Sequence, residues 1–165
     1  MEYAVDVCHL STSFYNAYPE TQYPEIMRKD GRPYTCLLIE TQDGYFICIP
    51  FRSSIQHNEA FIFTNTARST HSRSGLDYKK VVIIKESDYI DSTTQVLVDN
   101  DEYSAMMTNI DAIVNEIDDY IKVYIDHING TKRLHPRQFA RRYQYSTLPY
   151  FHDILGITEE YGDNE

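Results

Sequence analysis

The first hundred residues show apolar positions in short runs and in alternation with polar ones, a pattern typical of β-strands. Three apolar residues alternate in this way within residues 1–10, which predicts a first strand. Residues 34–40 and 45–49 form two further apolar runs, and Asp43-Gly44 lies between them. An Asp-Gly pair supplies the positive φ angle that a tight turn requires. The two runs are therefore predicted to form a β-hairpin.

Several shorter segments complete the strand-rich part of the chain. Apolar runs predict further short strands at residues 60–63, 80–85, 89–90 and 96–98. Residues 11–31 contain two prolines and an Asp-Gly pair, so we expect irregular chain with one short helix there. Residues 68–75 are polar and are predicted as a mobile loop.

The spacing of apolar residues changes to three and four from Asp101 onward. This spacing predicts a long amphipathic helix, whose apolar positions are Ile110, Ile113, Val114, Ile117, Ile121, Tyr124, Ile125 and Ile128. Gly130 is expected to end it. A second helix is predicted over residues 137–145, with Pro136 near its start. The acidic tail after Ile157 is predicted to be frayed.

This order of elements predicts one domain over residues 1–165, with a strand-rich part (1–100), a helical part (101–158) and a tail (159–165). Short antiparallel strands followed by helices are typical of the α+β class. We expect a small twisted antiparallel β-sheet, in the form of an SH3-like barrel, beside a C-terminal helix pair.

Tyrosine is abundant in the composition, with fifteen residues against seven Phe and no Trp. Most of these side chains are predicted to fill the core with their hydroxyls at its rim. Cys8, Cys36 and Cys48 have no metal-type spacing and are interpreted as reduced thiols. Neither a signal sequence nor a membrane-spanning run is evident, so we expect a soluble intracellular protein.

The net charge of −10 is unevenly distributed. Residues 1–85 carry nine acidic and nine basic side chains, whereas residues 86–165 carry sixteen acidic and six basic ones. Five of those six bases fall between Lys132 and Arg142. Salt limits the electrostatic influence of each charge to roughly 8–10 Å under physiological conditions. A local basic patch can therefore still bind RNA on a chain that is acidic overall.

Candidate chemistry lies in the run that follows the second hairpin strand, where Arg52, Ser53 and His57 occur within six residues. A guanidinium grips phosphate oxygens in a bidentate manner, and an imidazole transfers protons near pH 7. These groups suit cleavage of a phosphodiester bond without a metal. The alternative interpretation is a solvated loop with a structural histidine.

Several other chemistries have no motif in this chain. P-loop, Gly-x-Gly-x-x-Gly, His-Glu-x-x-His and Gly-x-Ser-x-Gly patterns are all missing. The six histidines are dispersed, so we predict neither a zinc site nor any cofactor.

A resemblance to a known family is carried by three segments that occur in the same order and on the same strand pattern. They are Pro24-Glu25-Ile26-Met27 with Arg32-Pro33-Tyr34, then Ile49-Pro50-Phe51-Arg52-Ser53 with Ile55 and His57, then Ser74-Gly75-Leu76-Asp77-Tyr78-Lys79-Lys80 leading into Val81-Val82-Ile83-Ile84. Through them the stretch 23–84 resembles the toxins of type III toxin–antitoxin systems, the ToxN/AbiQ group and particularly its CptN/TenpN branch.

The resemblance implies a sequence-selective, metal-independent endoribonuclease of the bacterial cytoplasm with a fold similar to the MazF/Kid barrel. It also implies a partner, a small antitoxin RNA of tandem pseudoknot repeats. The toxin cuts these repeats apart and assembles with them into a closed protein–RNA ring that keeps it inactive. Growth arrest and phage abortive infection are the outcomes that the family implies.

The resemblance also implies site residues. Ser53 occupies the place of the family's reactive serine. Arg52 supplies the positive charge that a nearby residue carries in other members. Arg32 matches a basic residue before the first hairpin strand, and His57 fits the CptN/TenpN pattern. Structural alternatives are an Arg32 pair with Glu25 and a turn capped by Ser53.

Cleavage of RNA without a metal needs a base, a proton donor and positive charge at the phosphorane. We expect His57 to transfer protons, typically worth ~10²–10⁴-fold in rate. Arg52 and Arg32 are expected to stabilise the developing charge, while Ser53 binds a phosphate oxygen or orients the ribose. The products would carry 2′,3′-cyclic phosphate and 5′-hydroxyl ends.

Two further groups of residues are predicted to contact RNA through phosphate pairing and base stacking. They are Lys79 and Lys80, and the later set Lys132, Arg133, Arg137, Arg141, Arg142 and Tyr143. Ordinary solvation of a strand end and of a basic helix face are the alternatives. For the whole protein, the alternatives are a non-catalytic RNA-binding or interaction module and a MazF-type toxin that a protein neutralises.

Overall fold

Seven short strands form one antiparallel sheet in the computed structural model, which describes residues 3–29 and 33–157. They are β1 (Ala4–Leu10), β2 (Thr35–Glu40), β3 (Phe46–Arg52), β4 (Ala60–Ile62), β5 (Gly75–Asp77), β6 (Val82–Ile84) and β7 (Ile90–Asp91). The helices of the described part are α1 (Thr12–Ala17), α2 (Asn100–Thr108), α3 (Ile110–Asn129) and α4 (Pro136–Tyr143). The predicted α+β class with an antiparallel sheet is confirmed.

Strand β3 is the centre of the sheet, whose order is β4-β5-β3-β2-β1-β7. β3 pairs with β2 on one edge, and on the other edge it pairs first with β6 and then, at its end, with β5. Among the described strands, β4 and β7 end the path and do not pair with each other. The sheet is therefore open, and a closed barrel is not observed.

The predicted hairpin is confirmed as β2 and β3, joined by a turn in which Gly44 has a φ angle of +83°. The first strand is confirmed as β1, which pairs with β2. The short helix expected among residues 11–31 is α1, and the Ser11 hydroxyl caps it by accepting the Phe14 N–H.

The long amphipathic helix is confirmed as α3, whose buried stripe lies in the same apolar core as the strands. Gly130 ends α3 in the left-handed conformation, with a φ angle of +77°. Helix α4 packs on α3 through aromatic rings: Phe139 stacks on His127 with 3.9 Å between ring centroids. Together they form the predicted helix pair, although α4 stops at Tyr143 rather than at residue 145.

The structure differs from the sequence prediction in three details. Residues 96–98 are not a strand, because Leu97 is 80% exposed and has no strand to pair with among the described residues. The helical region breaks at Asn109 into α2 and α3. Residues 75–77, assigned no strand, form β5 around the fully buried Leu76. The predicted frayed tail lies outside the described residues.

The three cysteines are buried on the adjacent strands β1, β2 and β3 and form no disulfide. Within residues 3–29 and 33–157, no helix combines the length and apolar character that crossing a membrane requires.

Gly75 allows β4 and β5 to approach closely. A Cβ atom at this position would lie 1.9 Å from the carbonyl oxygen of Phe61, a backbone atom that can yield only if the strands separate. We predict that Gly75→Ala lowers the free energy of unfolding by about 3 kcal/mol, at the large end for a single substitution. Denaturant unfolding measures this loss.

Gly44→Ala is the matched control, since no atom lies within 4 Å of its Cβ position and only its positive φ angle is unfavourable. It should cost about 1 kcal/mol. Equal losses for the two variants would contradict the close approach of β4 and β5.

Candidate functional site

Asp77 brings two of the predicted site residues, Arg52 and His57, together. Its side chain is 0% exposed, and Arg52 Nη1 donates to its Oδ2 at 2.8 Å. His57 Nε2 lies 3.0 Å from Oδ1, and the backbone N–H of Lys79 donates to the same oxygen at 3.0 Å. Arg52 reaches Asp77 because the ends of β3 and β5 pair, with Arg52 opposite Gly75. One buried carboxylate thus connects the end of β3 with the loop that follows it.

The contacts around Asp77 keep it ionised. Burial raises the pKa of this carboxyl, but the contacts with His57 and Arg52 outweigh burial and lower the pKa below its ordinary value of 3.8. An unpaired buried carboxylate would instead become protonated or destabilise the fold. Asp77 is therefore a fixed negative charge behind the Arg52 guanidinium.

Both ring nitrogens of His57 face protein groups. Nδ1 accepts the backbone N–H of Glu59 at 3.1 Å, so in the neutral ring the proton resides on Nε2. Nε2 faces Asp77 in a short contact that lacks the alignment of a good hydrogen bond, and it has no other partner in the described part of the chain. In this arrangement the imidazole holds the carboxylate.

The loop between Arg52 and Glu59 is held in place by Arg73. Its guanidinium donates to the carbonyl oxygens of Ile55 at 3.0 Å and His57 at 2.5 Å, and to Asn58 Oδ1 at 3.1 Å. The Ile55 N–H donates back to the Arg73 carbonyl at 2.8 Å, and the Ile55 side chain is buried. The sequence predicts a mobile loop for the polar segment 68–75. In the structure, Arg73 of this segment holds the loop between Arg52 and Glu59 in place through hydrogen bonds.

Arg52 and Ser53 also line a cleft of about 430 Å³. Its walls combine cations, aromatic rings and hydroxyls, among them Lys29, Tyr34, Thr35, Phe51 and Arg68. Arg52 remains 34% exposed, and within the described chain Ser53 makes no side-chain hydrogen bond. His57 does not line this cleft. The cleft can therefore present a guanidinium and a hydroxyl to an anionic ligand.

The far side of the cleft carries the opposite charge. Arg68 Nη2 lies 3.2 Å from Asp99 Oδ2, and its Nε lies 3.4 Å from Glu102 Oε2 at the start of α2. Burial raises the pKa of Glu102, although its side chain faces Arg68. Both arginines of the cleft are thus paired with carboxylates, Arg68 with Asp99 and Glu102, and Arg52 with Asp77 behind it.

Three of the residues predicted to bind RNA are used inside the fold. Lys79 Nζ donates to the carbonyl oxygens of Arg141 at 3.0 Å and Gln144 at 3.2 Å, at the end of α4. Lys80 Nζ pairs with Glu25 at 2.8 Å and donates to the Tyr145 carbonyl at 2.7 Å. Tyr143 is buried, with its hydroxyl donating to the Tyr120 carbonyl. Through these contacts the side chains of Lys79, Lys80 and Tyr143 stabilise the fold.

The remaining predicted RNA contacts are divided. Arg142 is half-buried and pairs with Glu59 at 3.2 Å and Asp119 at 3.0 Å. Four others display their side chains to solvent: Lys132, Arg133, Arg137 and Arg141. Arg32, predicted to belong to the catalytic group, lies outside the described residues.

Sequence reasoning missed Asp77 and Arg73. Asp77 stands between Leu76 and Tyr78, two residues that are buried in the fold. An acidic residue directly between two apolar ones, as in Leu76-Asp77-Tyr78, is a signal for a buried carboxylate that needs cationic partners. Arg73 offered no such signal, because its contacts are with backbone oxygens of a distant loop.

Comparison with protein-family models, curated proteins and solved structures gives no match for this chain. Within the described residues, no three His, Cys, Asp or Glu side chains are grouped so that they could hold a metal ion. The candidate site therefore has to be interpreted from its own geometry.

The lowered pKa of Asp77 predicts a dependence of stability on pH. An ionised Asp77 stabilises the fold above the unfolded pKa of about 3.9, and this contribution is lost as the pH falls through the lower folded pKa. We predict that Asp77→Asn lowers the free energy of unfolding by about 3 kcal/mol at pH 7, and that the difference from wild type shrinks below about pH 4.

Denaturant unfolding across this pH range measures the difference. Asp88→Asn is the control, because Asp88 is exposed and its substitution should change stability little at any pH. A stability difference for Asp77→Asn that persists unchanged into acid would show that its carboxylate is not ionised in the fold.

Proposed function

We propose that this protein is a metal-independent endoribonuclease that cleaves RNA by attack of a 2′-hydroxyl on the adjacent phosphodiester. The observation that supports this most is the position of Arg52. Its guanidinium is fixed on one side by the buried Asp77 and faces the cleft beside Ser53 on the other. This places a permanent positive charge and a hydroxyl where a phosphate can bind.

The reaction needs charge stabilisation above all. When the 2′-oxygen bonds to phosphorus and the bond to the 5′-oxygen breaks, negative charge accumulates on the non-bridging oxygens. Arg52 uses Nη1 for Asp77 and keeps its other N–H donors for these oxygens, and Ser53 donates its hydroxyl to one of them. One proton passes through solvent water from the 2′-hydroxyl to the departing 5′-oxygen, which leaves a 2′,3′-cyclic phosphate and a 5′-hydroxyl.

The geometry alters the role that we propose for His57. To take the 2′-hydroxyl proton, Nδ1 would have to exchange the Glu59 N–H for the substrate. We propose instead that His57 is a positioning residue, which holds Asp77 and through it Arg52. Gln in place of His can still donate to Asp77, so the two roles are separable by experiment.

The remaining elements of the proposal come from the resemblance. We propose a repeat RNA pseudoknot antitoxin as substrate and inhibitor, a closed protein–RNA ring as the inactive state, and growth arrest or phage abortive infection as the outcome. We also propose a MazF-like relationship for the sheet. It is supported by β3, which pairs with β2 on one edge and with both β6 and β5 on the other.

RNA cleavage in EDTA tests the activity. We predict that the purified protein produces 2′,3′-cyclic phosphate ends, and that Arg52→Gln lowers the cleavage rate by about 10²-fold or more. Lys122→Gln, which removes an exposed cation on α3, should cleave at the wild-type rate. His57→Ala should lose most activity, while His57→Gln retains much of it if the residue positions Asp77.

Two results would contradict the proposal. Cleavage that EDTA abolishes would show that the chemistry depends on a metal. Tight RNA binding without any cleavage would favour the alternative of a non-catalytic RNA-binding module.

A further inference from the structure

Tyr145 is a large aromatic side chain that the fold leaves in solvent. It is 66% exposed, and its ring takes part in no aromatic pair among the described residues. Its neighbours behave differently: Tyr143, Ser146 and Thr147 are all buried. The turn after α4 therefore buries residues on both sides of Tyr145, while its ring and the polar Gln144 beside it stay exposed.

The backbone that displays the ring is held in an unusual conformation. Tyr145 has a φ angle of +65°, in the left-handed region of the backbone that residues other than Gly and Asn rarely adopt. Lys80 Nζ holds its carbonyl oxygen at 2.7 Å, and Lys79 Nζ holds that of Gln144 at 3.2 Å. Two lysines thus keep the turn in a shape that projects Tyr145 outward.

Exposed cations lie on the helix that precedes this ring, in a chain that is acidic overall. Arg137 and Arg141 are exposed and lie four residues apart, on one face of α4. Lys79 Nζ also donates to the Arg141 carbonyl, so the same ammonium group binds both the end of α4 and the turn that follows it. A polyanion is the partner that this concentration of charge attracts.

The same turn is joined to the candidate site by two connections. Lys79 donates its backbone N–H to Asp77 and its ammonium to the end of α4. Arg142 pairs with Glu59, whose N–H is bonded to His57. A nucleic acid bound at the end of α4 therefore contacts a surface that hydrogen bonds and an ion pair connect to the residues around Asp77.

We propose that Tyr145 is a stacking platform for an unpaired base of single-stranded RNA, with Arg137 and Arg141 contacting the flanking phosphates. An aromatic face stacks on any base that is free of its helix, and neighbouring cations pair with the backbone. The inference rests on the proposed function for its substrate class. It adds a binding residue outside the cleft that cleavage itself does not require.

Binding of a short, mixed-sequence 2′-O-methyl RNA, which lacks the attacking hydroxyl, tests this inference separately from cleavage. Tyr145→Asn removes the ring but suits the left-handed backbone, so the turn should stay folded. We predict about 10-fold weaker binding by fluorescence anisotropy, with an unchanged dependence on salt. Tyr145→Phe keeps the ring and should bind like wild type.

Arg137→Gln/Arg141→Gln should instead flatten the salt dependence, by a slope of about 0.7 for each lost phosphate contact. Wild-type affinity in Tyr145→Asn, or no binding of the oligonucleotide by the wild-type protein, would overturn the inference. RNA binding that depends on Tyr145 in a protein that never cleaves RNA would support the inference and refute the proposed nuclease.

Discussion

The buried carboxylate of Asp77 is the constraint on which the candidate site depends. A charge that is removed from water must be matched by donors on every accessible side, because an unpaired one costs several kcal/mol. Here Arg52 at the end of β3 and the Lys79 N–H in the turn after β5 donate hydrogen bonds to the carboxylate, and His57 from the loop after β3 lies in short contact with it. Meeting this requirement fixes the Arg52 guanidinium at the edge of the cleft. The same requirement accounts for a histidine whose two ring nitrogens both face the protein.

The contacts around Asp77 continue from the site to the C-terminal helices. Lys79 bonds the Asp77 carboxylate with its backbone and the last carbonyls of α4 with its side chain, while Arg142 reaches back to Glu59. Burial lowers the pKa of the Lys79 ammonium, although Glu59 and Asp77 oppose that effect. The carbonyl groups at the end of α4, Lys79, Lys80 and the turn that carries Tyr145 are connected by hydrogen bonds. In the proposed nuclease, substrate binding and the position of Arg52 are therefore coupled through a few short contacts.

Sequence pattern predicted the parts of the fold that local spacing determines. The β2–β3 hairpin followed from Asp43-Gly44, and α3 followed from apolar residues at helical spacing with Gly130 at the end. Strand β5 was not predicted because Gly75-Leu76-Asp77 has a single apolar side chain and so forms no apolar run. Val96-Leu97-Val98 does form one, but Leu97 is left exposed. Arg52, Ser53 and His57 were found as a group, yet Asp77, which joins two of them, was not. Its two side-chain partners, Arg52 and His57, lie 25 and 20 residues away in sequence, and only strand pairing brings them together.

A double-mutant cycle on the rate of RNA cleavage tests the central claim most directly. The rates of wild type, Asp77→Asn, Arg52→Gln and the double variant are measured on one RNA, with folding of each variant checked by circular dichroism. If Asp77 acts by holding Arg52, the double variant cleaves no more slowly than the slower single variant. Losses that multiply, or full activity in Asp77→Asn, would contradict the account.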